Sequence, residues 1–215
     1  MPDDQIIGEI IEASTTEFVA ESRELHSPPP FGSFVKVAWN GPVRQAQGRP
    51  SDAQTDDPFE LQPAIYGVVH HATTSPVDTG RRLRAFWKDE EELKNQQPEL
   101  DEWMLVTNFR AVIIGYCANG QVSQILPPKP PKLLTRVHPC EPGEIKSVTS
   151  RMDFLRTLAT FRNAPTEEVV AACIRQAAGC YEDKEPFLVA AGKELASLLK
   201  DDYDRLQAIM RRVAQ

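Results

Sequence analysis

The chain has little of what marks a membrane protein, a secreted protein or a nucleic-acid binder. No uncharged apolar run reaches the roughly 18 residues that a membrane-spanning helix needs. The opening "MPDDQIIGEI" carries acids where a secretory leader would place basic residues ahead of an apolar core. A cytoplasmic protein without membrane insertion is therefore expected. Basic charge is also short: 24 Lys and Arg face 31 Asp and Glu, a net charge of −7. Phosphate contacts need a cationic surplus, so nucleic acid is not expected as the main partner. Eleven acids and eleven bases cancel over residues 144–215, which puts the acidity ahead of them. "TGRRLR" at 79–84 is the best local basic patch.

Cysteine is sparse too. The four thiols, Cys117, Cys140, Cys173 and Cys180, form no C-x-x-C, and free thiols are the expectation in a reducing compartment. The seven-residue spacing of Cys173 and Cys180 places them two turns apart on a helix, too far for a disulfide. The usual catalytic signatures are missing as well: there is no G-x-S-x-G, H-E-x-x-H or G-x-G-x-x-G.

What is present is strand pattern first and helix pattern last. "IIGEIIEA", "TTEFVAES" and "FGSFVKVAW" read as three short strands. In the third, Phe34 and Lys36 point opposite to Val35 and Val37. The intervening "SPPP" cannot continue a ladder and is expected to release an edge, because proline has no N–H to donate. Residues 40–63 are rich in Gly, Pro, Gln, Ser and Asp and read as a long mobile loop. "AIYGVVHHATT" at 64–74 resumes a strand. "KDEEELKNQQPELDEW" predicts an acidic helical insertion over about 88–103, its acids favoured by the N-terminal end of the helix dipole. "FRAVIIGYCANGQVSQIL" predicts a hairpin around its Asn-Gly dipeptide. "LPPKPPK" offers P-x-x-P spacing, but its position between strand and helices suits a rigid strap better than a polyproline ligand.

From about residue 147 the apolar period changes to that of helices, with Thr166 a candidate N-cap and "EPFLVAAGKELASLLKDDYDRLQAIMRRVA" the longest pattern. Segregated strands and helices indicate an α+β fold. The expected organisation is a six-stranded small β-barrel over 1–143 and a helical region of about three helices over 144–215.

The strand motifs carry a resemblance. "IIGEIIEASTTEFVAESREL", "PPPFGSFVKV" and "AIYGVVHHATTSPVDTGRRL", followed by "NFRAVIIGY" and "ILPPKPPKL", resemble the HAS barrel. That barrel stands at the N-terminus of HerA DNA translocases and of rotary ATP synthase subunits. The later segments are similar to stand-alone cyanobacterial HAS-barrel proteins. The resemblance covers residues 5–140 or so and implies a barrel that docks, in those machines as a collar above ATP-driven motors. The motor itself needs a P-loop, G-x-x-x-x-G-K-[ST]. "AAGKELAS" at 190–197 is the closest fragment, and it has Glu194 where Ser or Thr is required.

Three functions follow, in order. The first is a non-catalytic binding or assembly module that docks to itself or to a protein partner. The second is a ligand-binding protein or enzyme with a pocket between barrel and helices, around His70, Asp78, Arg81 and Arg82. The third is a nucleic-acid accessory factor using Arg81, Arg82, Arg84 and Arg110 on one surface. No catalytic residue, cofactor or metal is expected. His70 and His71 should face opposite ways on a strand, and His138 with Cys140 supplies only two of the ligands that a zinc site requires.

Overall fold

The computed structural model describes residues 6–39, 61–78 and 105–215. Arg81, Arg82, Arg84, the acidic insertion and most of the Gly/Pro-rich loop lie outside the described residues. Among the described residues seven strands come first: β1 (Gly8–Ala13), β2 (Glu17–Ser22), β3 (Phe34–Ala38), β4 (Ala64–Pro76), β5 (Leu105–Ala118), β6 (Gln121–Ser123) and β7 (Arg136–Pro139). Five helices of the described residues follow: α1 (Pro142–Val148), α2 (Asp153–Thr160), α3 (Thr166–Ala178), α4 (Glu185–Leu198) and α5 (Tyr203–Val213). No helix among the described residues is long and apolar enough to cross a membrane.

Six of the strands close a barrel. Around it the neighbours run β1, β2, β5, β4, β3, β7 and back to β1, every pair antiparallel. Closure comes from β2 on β5, where Glu17 to Glu21 face Val112 to Asn108. The prolines after β2 therefore end a strand without leaving an edge, since β2 and β3 each pair on both sides. Only β6, a three-residue appendage on β5, lies outside the ring. Its turn is the Asn-Gly hairpin, with φ of 52° at Asn119 and 72° at Gly120, the two left-handed residues that a tight two-residue hairpin demands.

Alternation along the strands builds two cores. Inward side chains, among them Ile10, Phe18, Val35, Val37, Ile65, Phe109 and Ile113, fill the barrel. Outward side chains Phe34, Tyr66, Val68, Val112 and Ile114 are covered by Ile145, Phe154, Leu155, Leu158, Val170 and Cys173 of the helices. This second burial explains why β5 reads as a continuous apolar run. Gly32, at φ 82°, lets the chain ahead of β3 pass close against α3: a Cβ there would sit 2.5 Å from Ala172 Cβ.

The helical region is more divided than its periodicity suggests. α1 begins on Pro142 at the first helical position, and the Glu141 N–H donates to Glu144 Oε2 at 2.8 Å. Thr166 is the first residue of α3 rather than its N-cap, and its hydroxyl donates to the Phe161 carbonyl at 2.8 Å. The longest pattern is split because Asp202 caps α5, accepting the Arg205 N–H at 3.2 Å. α5 is then latched onto the bundle. Arg205 reaches Glu167 at 2.6 Å and the Ala159 carbonyl at 3.0 Å, and Arg212 pairs with Glu168.

Candidate functional site

β4 carries a bulge between Val69 and His71, so His70 is the extra residue. Bulges re-aim side chains, and this one turns His70 beneath the helical layer while His71 stays exposed. The His70 ring is 2% exposed and packs edge to face on Phe161, at the end of α2, with centroids 5.0 Å apart. Its Nε2 lies 3.3 Å from Glu17 Oε2 on β2. By strict geometry neither ring nitrogen nor that carboxylate oxygen makes a hydrogen bond among the described residues, though the ring and the acid lie close enough for Glu17 to favour the charged ring. Arg110 of β5 approaches the other Glu17 oxygen at 3.9 Å from a half-exposed position.

Burial lowers the His70 pKa, and the neighbouring Glu17 carboxylate only partly offsets it; His71 and Arg110 add to the lowering. Burial thus favours the neutral imidazole, packed on Phe161 with Glu17 beside it and Arg110 on the far side of that acid.

A second polar group lies further along the barrel wall. His138, Lys36 and Tyr66 are direct cross-strand neighbours on β7, β3 and β4, and such neighbours share a face. Above them Glu144 of α1 accepts from Lys36 Nζ at 2.6 Å, with both side chains more than nine-tenths buried. Burial first, then the charge of Glu144, pushes the Tyr66 phenol and the Cys140 thiol far up. Burial alone does the same to Cys173. Both shifts disfavour the thiolate, the reactive form of cysteine. The Lys36–Glu144 pair is sealed under α1 and binds the barrel to its first helix.

Of the six residues expected at a site, the structure joins His70 and Arg110, with Glu17 as the link. Asp78 does not converge with them: β4 continues six residues past His70, on the order of 20 Å of extended chain. Arg81, Arg82 and Arg84 lie outside the described residues. Among the described residues, no group of three or more His, Cys, Asp or Glu is arranged to hold a metal. Sequence reasoning missed Glu17, Phe161 and the Lys36–Glu144 pair. Alternation does put Glu17 and Lys36 on the outer face, but nothing local says what lies opposite.

No protein-family model matches the chain, and no curated protein matches it. Its function has to be read from its own residues.

The barrel also presents an apolar surface. Between β6 and β7 the proline strap carries Ile125 and Leu126 at one end and Leu133 and Leu134 at the other, all four exposed; Leu134 is 73% so. Leu134 adopts φ 61°, a left-handed conformation that costs a leucine about 1–2 kcal/mol. Its N–H donates to the Ile10 carbonyl at 2.9 Å, and the Ile10 N–H to the Thr135 carbonyl at 3.0 Å, which holds it in place. At the other end, Ile125, Leu126 and Pro128 flank an open groove of about 700 Å³ beside Trp39 and Tyr116.

Proposed function

We propose that the chain is a non-catalytic binding and assembly module, a HAS-type barrel that docks to a partner protein or to a second copy of itself. The observation that carries this reading is the strap. Four large apolar side chains stand in solvent on a stretch stiffened by prolines, and one of them is held in an unfavourable backbone conformation. Exposed apolar clusters on rigid backbone are what docking surfaces are made of. The resemblance in the strand motifs supports the HAS-type assignment, and it implies an ATPase-type machine as one class of partner.

The test is substitution of the strap. Leu133→Asp with Leu134→Asp should abolish association, whether of the chain with itself or with a co-purifying protein, without lowering the melting temperature. A chain that sediments as a monomer, purifies alone from its own cells and behaves identically with both aspartates overturns the reading.

A second reading is favoured by one observation. His70 is a buried imidazole whose ring nitrogens lack a strict hydrogen bond, next to Glu17 and against Phe161, and it would serve as the polar element of a ligand site between barrel and helices. Ligand-dependent shifts of the His70 ring resonances in a small-molecule screen would support it. Resonances unmoved by every compound would leave the assembly reading alone.

A further inference from the structure

β3 covers β4 only part of the way. Their ladder runs from Ala38 opposite Ala64 to Phe34 opposite Val68. It is extended one step by Gly32 N–H to the Val69 carbonyl at 2.8 Å and Val69 N–H to the Ser33 carbonyl at 3.0 Å. Then comes the His70 bulge, and past it residues 71–76 pair only with residues 105–110 of β5. Among the described residues, the other side of this stretch has no backbone hydrogen bond. β6 also ends the sheet on one side, but it offers three residues against six.

An edge of this kind is a template for another strand, and proteins that must avoid pairing blunt it with lysine, proline or a mid-strand bulge. Lysine is absent from 71–76, its proline stands only at the last position, and the bulge precedes the stretch. Its side chains are His71, Ala72, Thr73, Thr74, Ser75 and Pro76, with no formal charge apart from a titratable histidine and no proline before the last position. The first four are exposed. The two threonines favour strand geometry. The bulge lies at the root of the stretch, where the buried ring of His70 wedged against Phe161 anchors the arm. An edge held rigid in this way is pre-organised, so little ordering opposes its pairing.

We propose that residues 71–75 of β4 pair antiparallel with the same residues of a second copy of this chain, Thr73 facing Thr73 across the axis, forming a two-fold dimer with one sheet running through both barrels. This rests on the assembly reading above and names where self-docking occurs. A two-fold axis requires a stretch that is complementary to its own reverse. An antiparallel seam of short, uncharged side chains meets that requirement, because no like charges face each other despite the chain's net charge of −7. Threonines near the axis fall opposite or diagonal to one another, a favourable cross-strand arrangement. Five residues span on the order of 17 Å. The seam is thus smaller than a standard interface, and the dimer forms in proportion to concentration rather than permanently.

The experiment is sedimentation equilibrium of the full chain over a wide concentration range, for wild type, Thr73→Lys, Thr73→Glu and an equimolar mixture of the two variants. Wild type should pass from monomer to dimer. Each variant alone should dimerise about tenfold or more weakly, and the mixture should recover, because lysine then faces glutamate across the seam. In wild type, backbone amides within 71–76 should exchange more slowly as concentration rises, a readout that needs no variant. A wild-type dimer indifferent to residue 73 overturns the edge proposal; if Leu133→Asp with Leu134→Asp then dissolves that dimer, the assembly reading stands through the strap. A wild type that stays monomeric at every concentration overturns the proposal and self-docking together. In that case only docking to a different protein survives from the broader reading.

Discussion

Lys36 Nζ lies 2.6 Å from Glu144 Oε2, in a layer where both side chains are more than nine-tenths buried. The pair joins β3 to α1, and Glu144 also accepts the Glu141 N–H at the start of that helix. Removing one partner strands the other charge in a dry environment. Lys36→Met should therefore cost about 3–5 kcal/mol, measured by urea unfolding. Lys36→Met combined with Glu144→Leu should recover most of this, leaving a deficit of about 1 kcal/mol from the lost helix-start bond. A double variant no more stable than the single one would mean the pair is worth its Coulomb energy.

The buried imidazole makes stability depend on pH. Burial lowers the folded-state pKa of His70 below its ordinary value of about 6.5. The unfolded chain then binds the proton more readily. Stability is full above about pH 6.5 and falls as pH drops from there toward the lowered folded value. His70→Phe should flatten the profile in this window, while Glu17→Gln should extend the loss to lower pH by removing the acid that favours the imidazolium. Melting temperatures across a pH series, taken above the range where carboxylates titrate, are the measurement.

Gly32 tests how closely the helical layer rides on the barrel. Gly32→Ala combines a left-handed φ of 82° with a Cβ placed 2.5 Å from Ala172 Cβ. The expected loss is roughly 2–5 kcal/mol. Adding Ala172→Gly should return the steric part and leave the conformational part, a separation that chemical denaturation resolves.

Gln124 clamps two helices to the barrel with one side chain. Its amide donates to the Val148 carbonyl at 2.5 Å and the Arg151 carbonyl at 2.7 Å, and its oxygen accepts the Phe154 N–H at 3.0 Å. Gln124→Leu should cost roughly 2–4 kcal/mol. Hydrogen exchange should quicken first at the start of α2.

The strands were legible because their signals are local. The alternation of Phe34 and Lys36 against Val35 and Val37 separates an outer from an inner face in the structure as it does in the sequence, and Asn119-Gly120 makes its turn. α1 was not legible because seven residues after a proline strap carry too little period. The break between α4 and α5 hung on Asp202, whose capping bond cannot be told from a solvated acid without coordinates. His70 and Arg110 stood out as polar residues in strands. Glu17 did not, because its place beside His70 depends on the pairing of β2 with β5, residues about ninety apart in the chain. Register between distant strands is a property of the whole barrel, not of either segment.

The position of β7 has a consequence for synthesis. It fills the gap between β1 and β3, yet its residues, Arg136–Pro139, emerge nearly a hundred residues after β3. At ordinary translation rates the nascent chain waits roughly 5–20 s with both of those strands lacking a neighbour. Bare edges of that kind are where growing chains stick to one another. A ribosome stalled before residue 136 would hold an open, adhesive sheet, and early co-translational chaperone engagement is the demand this topology places on the cell.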